Sequence, residues 1–81
     1  MFTVYVLFSE IYRKIYIGQT SDLSTRLQYH NELSDDGWTK KYLPWVLLYS
    51  ESCASRTEAL KREKQLKTSR GRAFVWSLIK E

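Results

Sequence analysis

The chain of 81 residues contains one cysteine, one proline, one histidine, one methionine and three glycines. Each scarcity excludes something. Cys53 has no second cysteine for an internal disulfide and no CxxC partner for a zinc cage, so it reads as a small buried or half-buried thiol. No apolar run approaches the roughly 18 residues of a membrane span, and Met1-Phe2-Thr3 has neither the basic start nor the cleavage site of a signal peptide. The expectation is a soluble, cytoplasmic protein. Repeats and low-complexity segments are lacking, and the length suits one compact domain over residues 1–81 with one modest core.

Aromatic residues are plentiful, with six Tyr, three Trp and three Phe, and they offset the small core because each buries a large area. Charge is uneven. Residues 1–54 carry five Lys/Arg against six Asp/Glu, whereas residues 55–81 carry eight against three. A basic end of this kind favours a polyanion, and nucleic acid is the commonest one available; a merely solvated basic helix has the same composition.

Phe2 to Phe8 and Ile15 to Gly18 are rich in β-branched and aromatic residues and predict a β-hairpin. The connection from Ser9 to Lys14 has no Asn-Gly or Asp-Gly, so a loop longer than two residues is expected. A symmetric register would make Tyr5 and Tyr16 near cross-strand neighbours. Asp22 offers an N-cap, and Leu23, Arg26, Leu27 and His30 recur at helical spacing to about Asn31. From Glu32 to Leu43 the chain turns polar and reads as a surface loop, with a turn signal at Asp35-Asp36-Gly37 and Pro44 closing it. Trp45 to Tyr49 is a nearly continuous apolar run, which predicts a third strand in a central position. Ser55-Arg56-Thr57-Glu58 fits a capping box and opens a second helix. Ala59, Leu60, Glu63, Leu66 and Lys67 fall on one of its faces. The stretch Ser69-Arg70-Gly71-Arg72 should break it before a last amphipathic turn or two. The fold class is therefore α/β (α+β): a small three-stranded antiparallel sheet flanked by helices.

Glu63 is the residue hardest to explain structurally, because a carboxylate on an apolar face must be paired, ligate a metal or stay protonated. An ion pair with Arg26 is the plain alternative. Glu58 is accounted for as a cap. Tyr5 and Tyr16 are natural hairpin residues, and His30 suits a helix end. Trp38 and Trp45 with Lys40 and Lys41 between them could stack bases, although Trp45 also suits packing at a strand start. Lys67, Arg70 and Arg72, beside Gly71, are candidates for phosphate contact.

Val4-Tyr5-Val6, the intact Tyr16-Ile17-Gly18, Arg26 ten residues after the second tyrosine, His30 one turn on, and Glu63 ending Glu58-Ala59-Leu60-Lys61-Arg62-Glu63 together resemble the GIY-YIG nuclease family. The resemblance runs from Tyr5 to about Lys67 and is nearest to short bacterial members related to the nuclease domain of excinuclease C. It implies a metal-dependent DNA endonuclease, in repair or recombination, that hydrolyses a phosphodiester with an activated water. Glu63 would hold one divalent cation, Mg²⁺ or Mn²⁺, and Arg26 would bind the developing phosphorane charge. Tyr5 would take the proton of the water and Tyr16 would orient water or phosphate. His30 would assist Tyr5 or bind phosphate, and Gly18 would let backbone approach the substrate. Three departures stand against this: only the tyrosine of the first phrase is kept, Gln19 replaces a lysine, and the late asparagine is not recognisable near Val75. A catalytically weak or silent nucleic-acid-binding module of the same fold is the alternative, with a partner protein or a homodimer supplementing its grip on DNA.

Overall fold

A computed structural model describes residues 1–33 and 37–79, the side chains of Leu33 and Trp38 excepted. The turn signal at Asp35-Asp36, the ring of Trp38, Lys80 and Glu81 lie outside the described residues. The elements run β1 (Phe2–Ser9), β2 (Lys14–Thr20), α1 (Leu23–Gln28), a π turn (Tyr29–Leu33), α2 (Gly37–Lys41), β3 (Val46–Cys53), α3 (Arg56–Leu66) and α4 (Ser69–Ser77). The antiparallel sheet has the order β2-β1-β3. As expected from the sequence, it is three-stranded and flanked by helices.

The central strand is β1, not β3, which corrects the expectation drawn from the apolar run at Trp45. Every residue of β1 from Val4 to Ser9 is buried, because helices cover both faces of the sheet. On one face Val4, Val6 and Ile17 meet Ala59, Leu66 and Val75. Opposite, Tyr5 and Leu7 meet Trp45, with Leu23, Leu27, Tyr42 and Leu43 around them. On the edge strand β3, Val46 and Leu47 are 46% and 42% exposed. Its apolar run has a different cause: the pairing shifts between Val6, opposite Tyr49, and Leu7, opposite Leu47. Leu48 is the extra residue of a bulge, and both Leu48 and Tyr49 pack on the same core, so the alternation of a regular strand is lost.

Asp22 caps α1, its two carboxylate oxygens accepting from Thr25 N at 3.2 Å and Thr25 Oγ1 at 2.8 Å; these bonds hold its pKa below the ordinary value. The helix was expected to continue regularly to about Asn31. Instead the α-helical part ends at Gln28 and widens into the π turn. The wider turn brings His30 inside, 4% exposed, while Asn31 bonds the backbone of Trp45 in both directions. Its Nδ2 donates to Trp45 O at 3.0 Å and its Oδ1 accepts from Trp45 N at 2.8 Å. The expected surface loop contains α2, whose Thr39 is buried and accepts through its carbonyl from Trp45 Nε1 at 2.9 Å.

Ser55 caps α3 as its capping box predicts, Oγ accepting from Glu58 N at 3.2 Å. The Glu58 carboxylate reaches one residue further back and accepts from Ala54 N at 3.1 Å. Ala59 and Leu66 are the buried residues of α3, whereas Leu60, assigned to the same face by spacing, is 43% exposed. The break after α3 also falls earlier than expected, at Lys67-Thr68. Thr68 Oγ1 caps α4 by accepting from Gly71 N at 3.1 Å, so Ser69-Arg70-Gly71-Arg72 is the first turn of a helix.

Gly71 permits the close approach of the two helices. A Cβ there would overlap the Gln65 carbonyl oxygen and stand 2.5 Å from Leu66 Cα. Because backbone atoms cannot rotate away, Gly71→Ala is expected to force α4 off α3 and cost about 1–3 kcal/mol, the range of an overpacked core. Urea denaturation of the two proteins checks this; equal midpoints would show that the helices separate without cost.

Candidate active site

Tyr5, Tyr16 and His30 come together on the face covered by α1 and the π turn, whereas Glu63 stands on α3. Tyr5 pairs with Gly18, and Leu7 with Tyr16. The register is symmetric about the loop from Ser9 to Lys14, as the sequence suggested, and it makes the two tyrosines diagonal cross-strand neighbours, two residues apart. The even offset keeps them on one face because side chains alternate with period two. Their rings lie 6.3 Å apart and within 20° of parallel.

Gly18 takes a different part from the one expected. It is buried rather than facing a substrate, and a Cβ there would stand 2.7 Å from Tyr5 Oη, 2.9 Å from Tyr5 Cζ and 3.2 Å from Tyr16 Cε1. The phenol of Tyr5 occupies the space that any larger residue would fill. This is a requirement of packing between side chains and not of an unusual backbone angle.

His30 closes the cluster from above. Its ring centroid lies 4.6 Å from that of Tyr16 and 6.1 Å from that of Tyr5, and its Nε2 is 3.1 Å from Tyr5 Oη. With the ring proton on Nδ1, Nε2 accepts and the phenol donates. Trp45 braces Tyr16 edge-on at 6.3 Å. The Asn31 clamp therefore fixes the backbone of a residue that supports the cluster, and this part of Asn31 was missed in the sequence. Its only signal there is adjacency to His30.

Tyr5 is 1% exposed, and burial pushes its phenol up to about 12 from 10.0. The neighbouring phenol of Tyr16 adds to the rise, Arg26 opposes it, and the negative charge of Glu63 raises it further. Arg26 and Glu63 are thus both close enough to act on Tyr5, although they sit on different helices. Arg26 is exposed, its guanidinium 5.5 Å from the centre of the Tyr29 ring, and it borders an open hollow of about 170 Å³ with Thr20, Asp22, Thr25 and Tyr29.

Glu63 is not paired with Arg26 as the plain alternative required. Its Oε2 accepts from Lys67 Nζ at 2.9 Å, one helical turn on, with the Glu63 side chain 21% exposed. Lys67 is therefore occupied near the site. Arg70 and Arg72 are exposed on α4, Arg72 Nε donating to Lys67 O at 3.1 Å. Lys40 and Lys41 are exposed at the end of α2, Lys41 lying 5.6 Å from the centre of the Tyr42 ring. No cluster of three or more His, Cys, Asp and Glu suited to a metal occurs among the described residues. The donor chemistry present is one part-buried carboxylate. That fits a hard cation which completes its shell with water and phosphate oxygens, and no cation that needs a protein cage.

The sequence matches the model of the GIY-YIG catalytic domain over residues 1–74. The chain belongs to the GIY-YIG family. That family consists of nuclease-type domains acting on nucleic acid. Its curated relatives include a UPF0213 protein of Staphylococcus haemolyticus, 37% identical over 54 residues that make up 67% of this chain and 66% of the relative. Another is a UPF0213 protein of Desulfotalea psychrophila, 37% identical over 65 residues, 75% of this chain and 59% of the relative. A Staphylococcus aureus UPF0213 protein is also 37% identical over 54 residues, again 67% of this chain and 66% of the relative. The chain thus spans about two thirds or less of the length of these relatives. No solved structure matches it significantly. No helix among the described residues is long and apolar enough to cross a membrane.

The raised phenol has a consequence for stability. The folded protein keeps the Tyr5 proton where the unfolded chain has lost it, so the stabilisation is complete below pH 10 and fades as pH rises toward 12. Its size is on the order of 2 kcal/mol. Urea denaturation at stepped alkaline pH is expected to show wild type losing stability more steeply between pH 10 and 12 than Tyr5→Phe. Parallel curves would mean that Tyr5 titrates like an exposed phenol.

Proposed function

We propose that this GIY-YIG domain is a metal-dependent endonuclease that hydrolyses a DNA phosphodiester with an activated water. The observation that carries the reading is the bond between Tyr5 Oη and His30 Nε2, flanked by the charges of Arg26 and Glu63. Glu63 would hold a divalent cation, Mg²⁺ or Mn²⁺, which supplies Lewis-acid stabilisation of charge on the phosphate and the departing 3′ oxygen.

A phenol with a pKa of about 12 is a poor base if it must first ionise. The His30 bond removes that need. As the oxygen of water forms its bond to phosphorus, Tyr5 Oη accepts the water proton and passes its own to His30 Nε2, so the phenol is never left as a free anion. The bond from phosphorus to the 3′ oxygen breaks, and its electron pair leaves on that oxygen. Arg26 lies at the solvent side of the cluster, where its fork of N–H donors can meet phosphate oxygens as charge builds on them. Tyr16 stacks beside Tyr5 and meets the His30 ring at a tilt, and so holds both at the angle the relay needs.

The raised phenol also favours a second reading, a catalytically silent module that binds nucleic acid through the same face. The two separate in mutant kinetics. Glu63→Gln keeps the volume and loses the charge, and it is expected to abolish Mg²⁺-dependent cleavage of a labelled DNA while circular dichroism stays unchanged. Cleavage surviving at the wild-type rate would remove Glu63 from the metal site.

Arg26→Ala is expected to lower single-turnover cleavage by about 100-fold or more, comparable to losing one transition-state donor, while DNA affinity falls only a few-fold. Equal losses in rate and affinity would place Arg26 in ground-state binding and support the silent module.

A further inference from the structure

A cleft of about 380 Å³ lies away from the tyrosines, between α3 and α4. Leu66 and Gly71 contribute to its inner lining, and Arg62, Gln65, Arg70 and Phe74 also border it. Phe74 is an aromatic ring left 40% exposed on a small domain. Its attitude is set by Tyr49, which meets it edge-on with ring centroids 5.7 Å apart. The same Tyr49 donates through its hydroxyl to Glu51 Oε1 at 2.8 Å, and Glu51 accepts from Arg62 Nε at 2.8 Å and 3.2 Å. Arg62 Nη1 then donates to Gln65 Oε1 at 3.2 Å. One wall of the cleft is therefore a braced chain from Tyr49 to Gln65 that holds a guanidinium and an aromatic ring in place before anything binds.

Arg70, by contrast, is exposed and pairs with no carboxylate among the described residues. A cleft with an apolar interior, a flat ring held by an edge contact and an unneutralised guanidinium at its mouth matches a planar, apolar-faced group attached to an anion. An unpaired nucleotide has that composition: a base to stack on Phe74 and a phosphate for Arg70. Arg62 and Arg70 are the charged residues that border the cleft, both cationic, which favours an anionic ligand there.

We infer that the cleft between α3 and α4 is a subsite for one unstacked nucleotide of single-stranded nucleic acid, its base on Phe74 and its phosphate on Arg70. The inference rests on nucleic acid being the ligand of the domain, but not on cleavage. The subsite selects a frayed, gapped or flapped strand over a continuous duplex, in which every base is stacked and paired.

The test is a titration of the ¹⁵N-labelled protein, in buffer with chelator and no divalent cation, by deoxyadenosine monophosphate and separately by inorganic phosphate. The nucleotide is expected to shift the Gly71 and Phe74 amide signals saturably, with phosphate alone binding at least several-fold more weakly. Phe74→Ala removes the ring and its packing against Tyr49 together, so Phe74→Leu, which keeps the packing, is the decisive variant. It should weaken the nucleotide about tenfold, as the loss of one stacking platform does, and leave phosphate unaffected. Arg70→Gln should weaken both ligands. Equal affinity for nucleotide and phosphate, an unchanged nucleotide affinity in Phe74→Leu, or no saturable shift would each overturn the subsite. Glu63→Gln is expected to bind the nucleotide as wild type does, so a failed nuclease assay and a failed subsite give different results.

Discussion

Strand β1 is covered on both faces, and most of the architecture follows from that constraint. A strand so placed needs partners on both edges, which β2 and β3 supply, and an apolar layer above and below. On the α3 side the layer is aliphatic, built on Val4 and Val6. The opposite side takes a tyrosine at position 5, and a buried phenol must find a partner. His30 is that partner, and the π turn is what carries it inward. The polar centre of the candidate site is therefore a consequence of how the domain completes its second core.

Burial and chemistry pull against each other at Tyr5. Enclosure raises the energy of its anion, which hinders a base, yet the same enclosure fixes its hydroxyl against one acceptor. Arg26 and Glu63 remain at the edge of this cluster, where solvent and a phosphate can reach them. The arrangement separates a buried phenol–imidazole bond from an accessible charged rim. Gly18 and Asn31 support it from below and from the side, one by leaving room for the phenol and the other by pinning the backbone at Trp45.

Much of the fold was legible in the sequence because it rests on local rules. The hairpin, the Asp22 cap, the capping box at Ser55 and the spacing from Tyr16 to Glu63 all depend on residues close in the chain or on motif distance. The misreadings have a common origin. Leu48 in a bulge, Asn31 reaching across to Trp45, Gly71 against the backbone of α3 and Thr39 buried in an apparent loop each depend on how one element packs on another or on a departure from regular period. Periodicity carries no record of either.

By itself the sequence determined the three strands, the helix starts at Asp22 and Ser55, the basic character of the last third and a candidate set of chemically active side chains. Only the tertiary structure decided which of them meet. Tyr5 faces Gly18 and stands diagonal to Tyr16 through the pairing of β1 with β2, and His30 reaches Tyr5 because the π turn carries it over the sheet. The cleft beside Phe74 exists because Gly71 has no side chain to hold α4 away from α3. Register, crossing distance and ring packing are set by the sum of contacts across the whole core, and that sum is not written in any one segment of the chain.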